Sequence, residues 1–138
     1  MELRPYRTGD ETEVIELWQR CGLTRAWNDP RKDIQRKLTT QPELFLVGLL
    51  EVRLIATVMA GYDGHRGWVN YLAVDPEHRA KGYGRRLMRE VEERLTARGC
   101  PKLNLLVRNG NDAALAFYRR LGYGPDDTVC LGKRLIPD

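Results

Sequence analysis

A basic turn with two glycines, placed between a strand-like run and a helix-like run, constrains this chain most. The apolar run Tyr71 to Val74 leads to the turn Arg79–Gly84 (Arg-Ala-Lys-Gly-Tyr-Gly), and a helical pattern follows from Gly84. Backbone N–H groups at a helix start lack partners within the helix and lie at the positive end of its dipole, so they can bind a phosphate. Glycine lets such a ligand approach the main chain closely. The turn therefore predicts an anion site.

The positive charge of the chain is concentrated beside this turn. Residues 79–98 hold seven Arg or Lys and three Glu, an excess of four that equals the formal net charge of +4. These charges suit a phosphate ligand, and they also suit a solvated helix face with Glu–Arg pairs. The turn lacks the Gly-Lys-Ser/Thr ending of a P-loop and the three glycines of GxGxxG. Both common nucleotide motifs are therefore disfavoured.

Hydrophobic periodicity and turn residues predict the element order βααβββαβαβ. Strands are expected at Glu2–Arg7, Leu44–Glu51, Leu54–Tyr62, Trp68–Val74, Lys102–Val107 and Thr128–Ile136. Helices are expected after Asp10, at about Pro30–Leu38, from Gly84 to Gly99 and at Asp112–Leu121. The order predicts an α/β fold of the layered α+β kind, a mixed twisted sheet flanked by helices. The join at Val52-Arg53 lacks the Gly, Asn or Asp that a tight hairpin favours.

Length and composition predict one intracellular domain. The 138 residues suit a single domain spanning 1–138. The sequence has no long apolar stretch and no signal-peptide pattern, so we expect a cytoplasmic protein that does not span a membrane. Three cysteines without C-x-x-C spacing argue against a disulfide framework and a zinc site. We expect no metal.

Two motifs resemble the GNAT family of acyl-CoA-dependent N-acetyltransferases. The spacing Arg79-x-x-Gly82-x-Gly84 resembles the family's pyrophosphate loop, Gln/Arg-x-x-Gly-x-Gly/Ala. Downstream, the segment from Asn104 to Tyr123 resembles the family's fifth strand, the following helix and the closing Phe-Tyr-x-x-x-Gly-Phe/Tyr signature. The resemblance covers nearly the whole chain. Three short segments resemble in particular a small bacterial, YpeA-like branch: Trp27–Pro30, Gly61–Arg66 and Arg98–Lys102.

The resemblance implies a GNAT fold, in which two central parallel strands splay apart and acetyl-CoA enters the wedge as co-substrate. Backbone groups of β-strand residues would then pair with the pantetheine amides, and the turn would bind the diphosphate. The residues that the resemblance assigns to coenzyme binding are Leu72, Ala73, Val74, Arg79, Ala80, Lys81, Gly82, Tyr83, Gly84, Arg85, Asn111 and Tyr118. Asn111 also suits an ordinary helix N-cap.

Acyl transfer to an amine requires a neutral amine, a polarised thioester carbonyl and a proton for the departing thiolate. Tyr118 matches the family tyrosine that acts as the general acid near the coenzyme sulfur; the alternative is an aromatic core residue. Asp63 and His65 mark a candidate base region, although both also fit a structural turn. Glu77 and His78 are further, more solvent-facing candidates. Water without a dedicated base is also compatible with the family.

The acceptor side is expected at the loop between the first two helices, and the candidate substrate residues are Trp27, Asn28, Asp29 and Arg66. An aromatic anchor before a capped helix start explains the first three equally well. The leading hypothesis is acetyl transfer to a primary amine of a small molecule or protein. The alternatives are a nonenzymatic acyl-CoA-binding module and, less favoured, a basic nucleic-acid-binding domain without a reading motif. Trp68 or the final strand offers a surface for a homodimer.

Overall fold

The computed structural model describes all 138 residues, in five strands and four helices. The strands are β1 (Glu2–Pro5), β2 (Phe45–Leu50), β3 (Arg53–Tyr62), β4 (Gly67–Val74) and β5 (Leu103–Leu105). The helices are α1 (Glu11–Arg20), α2 (Pro30–Leu38), α3 (Tyr83–Ala97) and α4 (Asp112–Arg120). The chain divides into two compact segments, which are described separately: residues 1–105 with Asp138, and residues 106–137.

The five strands form one mixed sheet in the order β1-β2-β3-β4-β5. Neighbouring strands are antiparallel except β4 and β5, which are parallel. The β4–β5 pairing starts at Gly67 opposite Leu103 and ends at Val69 opposite Leu105, whereas β4 stays paired with β3 as far as Val74. The second half of β4 therefore has one edge without a partner strand. The predicted mixed sheet is confirmed.

Helices cover both faces of this sheet. Phe45 and Val47 of β2 lie in one core cluster with Leu17 and Trp18 of α1, while Leu46, between them, is equally buried and points to the opposite face. Helix α3 packs against β3 and β4. Its buried stripe is the predicted one, namely Leu87, Met88, Val91 and Leu95. No helix of the structure is both long and apolar enough to cross a membrane.

The join between β2 and β3 is a tight turn despite its unfavourable residues. Glu51 takes a positive φ of 57° and Val52 is 90% exposed. A positive φ is what a two-residue hairpin turn demands, and glycine or asparagine normally supplies it. The pairing of the two strands therefore imposes the turn geometry on residues that do not favour it.

The final strand predicted at 128–136 is wrong. The structure has no strand after Leu105, and apolar residues of that segment lie in solvent, with Val129 84% and Leu131 89% exposed. Strand propensity describes how well a side chain fits a pleated, half-buried surface, and it supplies no partner for pairing. The suggestion that this strand supports a homodimer loses its basis, so Trp68 alone remains for that prediction.

A buried hydrogen-bond chain joins α1 to the sheet. The Trp18 Nε1–H donates to Thr57 Oγ1 at 2.9 Å, and the Thr57 hydroxyl donates to the Tyr71 backbone oxygen at 2.8 Å. Both Trp18 and Thr57 are fully buried. Each partner therefore depends on the other for its hydrogen bond, because no water reaches it.

Replacing Thr57 with valine should lower the free energy of unfolding by about 1–3 kcal/mol, since it leaves a buried indole N–H without a partner. The melting temperature should fall by several degrees. Thr12→Val, at an exposed position of α1, is the matched control and should change it little. Equal melting temperatures for the two variants, measured by calorimetry, would contradict this account.

Candidate active site

The turn before α3 has the backbone geometry of an anion site. Gly82 is the N-cap of α3, with a positive φ of 83° and no side chain capping the helix. Ala80 also takes a positive φ, of 63°. The N–H groups of the first helical turn therefore remain available to a ligand. A Cβ on Gly82 would meet no atom within 4 Å, so the space next to this backbone is open.

The side chains around the turn add positive charge. Arg79, Lys81 and Arg85 are exposed, and the first turn of α3 contains no acidic residue. A cation-rich helix N-terminus attracts anions through both its side chains and its dipole. The buried Asp75 caps the short 3-10 helix Pro76–His78 that precedes the turn: its carboxylate accepts from the Glu77 N–H at 3.0 Å and pairs with Arg20 at 2.8 Å.

The open edge of β4 supplies a second set of backbone groups. The Asp75 N–H donates to Ile55 O at 2.8 Å, so Asp75 and, two residues earlier, Ala73 point their backbone groups towards β3. By alternation, the backbone groups of Leu72 and Val74 point to the edge that β5 leaves open. One of them, Val74 O, accepts a weak hydrogen bond from the Cys21 thiol at 3.4 Å.

A β-bulge interrupts β4 at Tyr71. The register shifts between Thr57 and Met59, which places two β4 residues, Tyr71 and Leu72, opposite Val58. Tyr71 takes a positive φ of 52°. This is the G1 type of bulge geometry, where glycine is usual.

The Tyr71 side chain contacts the loop before α2 and the first turn of that helix. Its hydroxyl donates to Asp33 Oδ2 at 2.6 Å and accepts from Asn28 Nδ2 at 3.1 Å. Its ring stacks on Trp18 with 3.7 Å between centroids. Burial and the neighbouring Asp33 carboxylate raise the pKa of Tyr71. The phenol therefore keeps its proton. Neither Tyr71 nor Asp33 is among the site residues that the sequence predicts.

The four predicted acceptor residues lie in two places. Asn28 contacts Tyr71 and Asp33, and Asp29 caps α2 by accepting from the Arg31 N–H at 2.9 Å. Trp27, beside them, is 56% exposed. Arg66, in contrast, lies in the β3–β4 turn. The structure therefore brings Asn28, but not Arg66, to the bulge.

The predicted base region is that same β3–β4 turn. Asp63 Oδ1 accepts from the His65 N–H at 2.8 Å and from the Arg66 N–H at 2.7 Å. The hydrogen bonds from Arg66 and His65 lower the pKa of Asp63, which makes its carboxylate a weaker proton acceptor. Both Asp63 and His65 are exposed.

Residues 106–137 carry the remaining predicted side chains. Asn111 caps α4, with its Oδ1 accepting from the Ala114 N–H at 3.1 Å. Tyr118 lies on α4 between two aromatic neighbours, Phe117 and Tyr123, with ring centroids 5.0 and 5.8 Å away. Burial raises the pKa of Tyr118 to about 12. Its hydroxyl therefore carries a proton at neutral pH, as a general acid must.

Comparison with known proteins assigns the family. The model of the acetyltransferase (GNAT) family matches residues 11–123. The chain belongs to this family. A Yersinia pestis protein named acetyltransferase is 51% identical to it over 138 residues, which is all of this chain and 98% of that protein. This GNAT chain is therefore an acetyltransferase, as its sequence motifs predict.

Solved structures agree with the GNAT fold. An aminoglycoside antibiotic 6'-N-acetyltransferase from Acinetobacter haemolyticus superposes with a TM-score of 0.77 at 20% identity, covering 99% of each chain. An N-acetyltransferase from Thermoplasma acidophilum, in complex with coenzyme A, gives 0.71 at 20% identity, covering 93% of this chain and 92% of that one. At such identities the similarity establishes the fold.

The residues of this GNAT chain fit acetyl-CoA, the acetyl donor of the family. A diphosphate needs unpaired N–H groups, positive charge and room beside the backbone, and the turn at Gly82 has all three. An extended pantetheine arm needs an unpaired strand edge, which β4 presents after Val69.

Proposed function

We propose that this acetyltransferase moves the acetyl group of acetyl-CoA directly to a primary amine, of a small molecule or of a protein, within a ternary complex. The observation that carries the proposal is the uncapped start of α3 at Gly82, where a positive φ, open space and three exposed cationic side chains coincide. Helix starts that lack acidic residues and side-chain caps suit a diphosphate. The protein is proposed to act in the cytoplasm as one domain, and its three free thiols suit that reducing compartment.

Two stretches of backbone would hold acetyl-CoA. Residues 79–85 would surround the diphosphate, with N–H groups of the first turn of α3 as donors and Arg79, Lys81 and Arg85 as counter-charges. The open β4 edge at residues 72–74 would pair with the pantetheine amides. Asn111 and Tyr118 are proposed to complete the coenzyme site, as the family resemblance implies.

In the reaction the amine nitrogen attacks the thioester carbonyl carbon, a C–N bond forms and the C–S bond breaks. The departing thiolate takes the Tyr118 hydroxyl proton, which its raised pKa keeps in place until transfer. The ammonium proton of the acceptor leaves beforehand, to His65 or Asp63 in the predicted base region or to water. After the attack the nitrogen still carries one proton too many for an amide, and it loses that proton as the amide forms; the proton restores the Tyr118 hydroxyl, directly or through water.

The acceptor amine is proposed to enter beside the loop that precedes α2. Trp27 offers exposed aromatic surface, and the Asp29 carboxylate would attract a cationic amine. Asn28 is held in place by its contacts with Tyr71 and Asp33. Arg66 would serve an acceptor that also carries a carboxylate. Trp68 stays a proposed homodimer contact.

Acetyl-CoA should stabilise the folded protein against heat. At about 100 times its dissociation constant it should add roughly 2.7 kcal/mol, which raises the melting temperature by several degrees. ADP should stabilise less, because it offers the diphosphate without the pantetheine arm. Random duplex DNA should have no effect.

No thermal shift with acetyl-CoA over a wide concentration range would overturn the proposed donor site. A salt-sensitive shift with DNA alone would favour the nucleic-acid-binding alternative. Once acetyl-CoA binding is seen, amines are screened by release of the free thiol of coenzyme A. Binding without thiol release for any amine class would favour the nonenzymatic alternative.

A further inference from the structure

Tyr71 has a backbone conformation that is unfavourable for a residue with a bulky side chain. A positive φ of 52° in the middle of a strand is a strained position for an aromatic residue. Such a conformation persists only when surrounding contacts over-determine it, and it clusters at functional sites. The contacts that hold Tyr71 therefore indicate what the bulge is for.

Three separate contacts fix the residue. Its ring stacks on Trp18, its backbone oxygen accepts from the Thr57 hydroxyl, and its own hydroxyl donates to Asp33. The first two tie it to the core beneath the sheet. The third ties it to α2, whose preceding loop is the proposed acceptor entrance.

Asp33 is well placed to act as a fixed anchor. Besides the Tyr71 hydroxyl it accepts from Asn28 Nδ2, and its other oxygen accepts from Arg36 at 3.0 Å. Arg36 in turn pairs with Asp138 at 2.6 Å. Three donors surround this carboxylate, and together they fix its position. Its role in this arrangement is therefore to orient Tyr71.

We propose that Tyr71 is a positioning residue for acetyl transfer, and that its hydroxyl, held by Asp33 and Asn28, fixes the bulge so that the Leu72 N–H on the open β4 edge can polarise the thioester carbonyl. The inference rests on the proposed function. It also links the acceptor-side loop to the donor carbonyl, because Asn28 belongs to that loop and Leu72 to the strand.

The test uses acetyl-CoA labelled with ¹³C at its carbonyl, together with unlabelled coenzyme A. Bound to the wild-type protein, the carbonyl resonance should move downfield from its value in free acetyl-CoA, as a hydrogen-bonded carbonyl does. In Tyr71→Phe, which keeps the ring, that displacement should be mostly lost. The affinity for coenzyme A, measured by calorimetry, should change less than about twofold, because the diphosphate contacts are intact.

Two further variants complete the design. Asp33→Asn leaves the Tyr71 ring and hydroxyl in place and weakens the anchor, so it should lose part of the displacement even if Tyr71→Phe folds poorly. Tyr62→Phe removes a phenol with only long contacts, of 3.3 and 3.5 Å, and should match the wild type.

The outcomes distinguish failure of the positioning role from failure of the proposed function. A wild-type carbonyl displacement that persists in Tyr71→Phe and Asp33→Asn would overturn the positioning role and leave the proposed function standing. Failure of the wild-type protein to bind acetyl-CoA at all would overturn the proposed function and this inference with it. Loss of the displacement in both variants, with coenzyme A binding retained, would support the positioning role over a merely structural one.

Discussion

Replacing Gly82 with aspartate should strongly weaken acetyl-CoA binding while the protein remains folded. The new carboxylate would stand in the open space beside the first turn of α3, where the diphosphate is proposed to bind, and would repel it. It would also cap the helix and occupy N–H groups that the ligand needs. We expect the affinity to fall about 100-fold or more, equivalent to roughly 2.8 kcal/mol.

Two controls separate this effect from backbone strain. Gly99→Asp places the same residue at a similar positive φ, 81° against 83°, just beyond the opposite end of α3, and in both places the new Cβ meets no atom within 4 Å. It should bind acetyl-CoA like the wild type. In Gly82→Asn the new side chain can cap the helix as aspartate would, but it carries no charge, so the affinity for acetyl-CoA should lie between those of the wild type and Gly82→Asp. Calorimetric titration measures all three, and unchanged affinity in Gly82→Asp would remove the diphosphate from this turn.

The sequence predicts well those elements whose start or end is determined by residues next to them in the chain. Helix α2 occurs at the predicted Pro30–Leu38, because Asp29 caps it and Pro30 suits its first turn. The turn proposed to bind an anion is equally local, since Gly82 supplies its positive φ and α3 begins at the next residue. The segment at 128–136 lacks such determinants. Its apolar residues favour a strand, and pairing with another strand, which no local pattern encodes, decides whether one forms.

The Tyr71 site shows what local patterns leave out. Asp33 and Tyr71 are 38 positions apart in the chain and meet only in the folded protein. In the sequence, Asp33 reads as a helix-surface acid and Tyr71 as an ordinary strand residue. No glycine in the sequence marks the bulge, because the positive φ of Tyr71 is imposed by its contacts with Trp18, Thr57 and Asp33. Motif spacing locates the turn proposed to bind the coenzyme, whereas the side chains proposed to orient the donor come together only through tertiary packing.

Replacing Tyr118 with phenylalanine should reduce kcat about 100-fold, within the range that general acid catalysis contributes, and leave acetyl-CoA affinity nearly unchanged. The change removes one oxygen and preserves the ring that packs with Phe117 and Tyr123. Because the pKa of Tyr118 is raised to about 12, the wild-type hydroxyl stays protonated through neutral and mildly alkaline pH. Ionisation of this group should therefore cause no fall in the wild-type rate in that range.

The rate is measured by thiol release with the best amine from the screen, and affinity by calorimetry. Tyr123→Phe removes the same atom from a neighbouring ring of the same segment and should retain kcat. A Tyr118→Phe variant with wild-type kcat would assign the protonation of the thiolate to water. If kcat and melting temperature instead fell together, Tyr118 would be a packing residue whose hydroxyl supports the fold. A fall in kcat alone is what proton donation requires, since the lost oxygen then matters only when the C–S bond breaks.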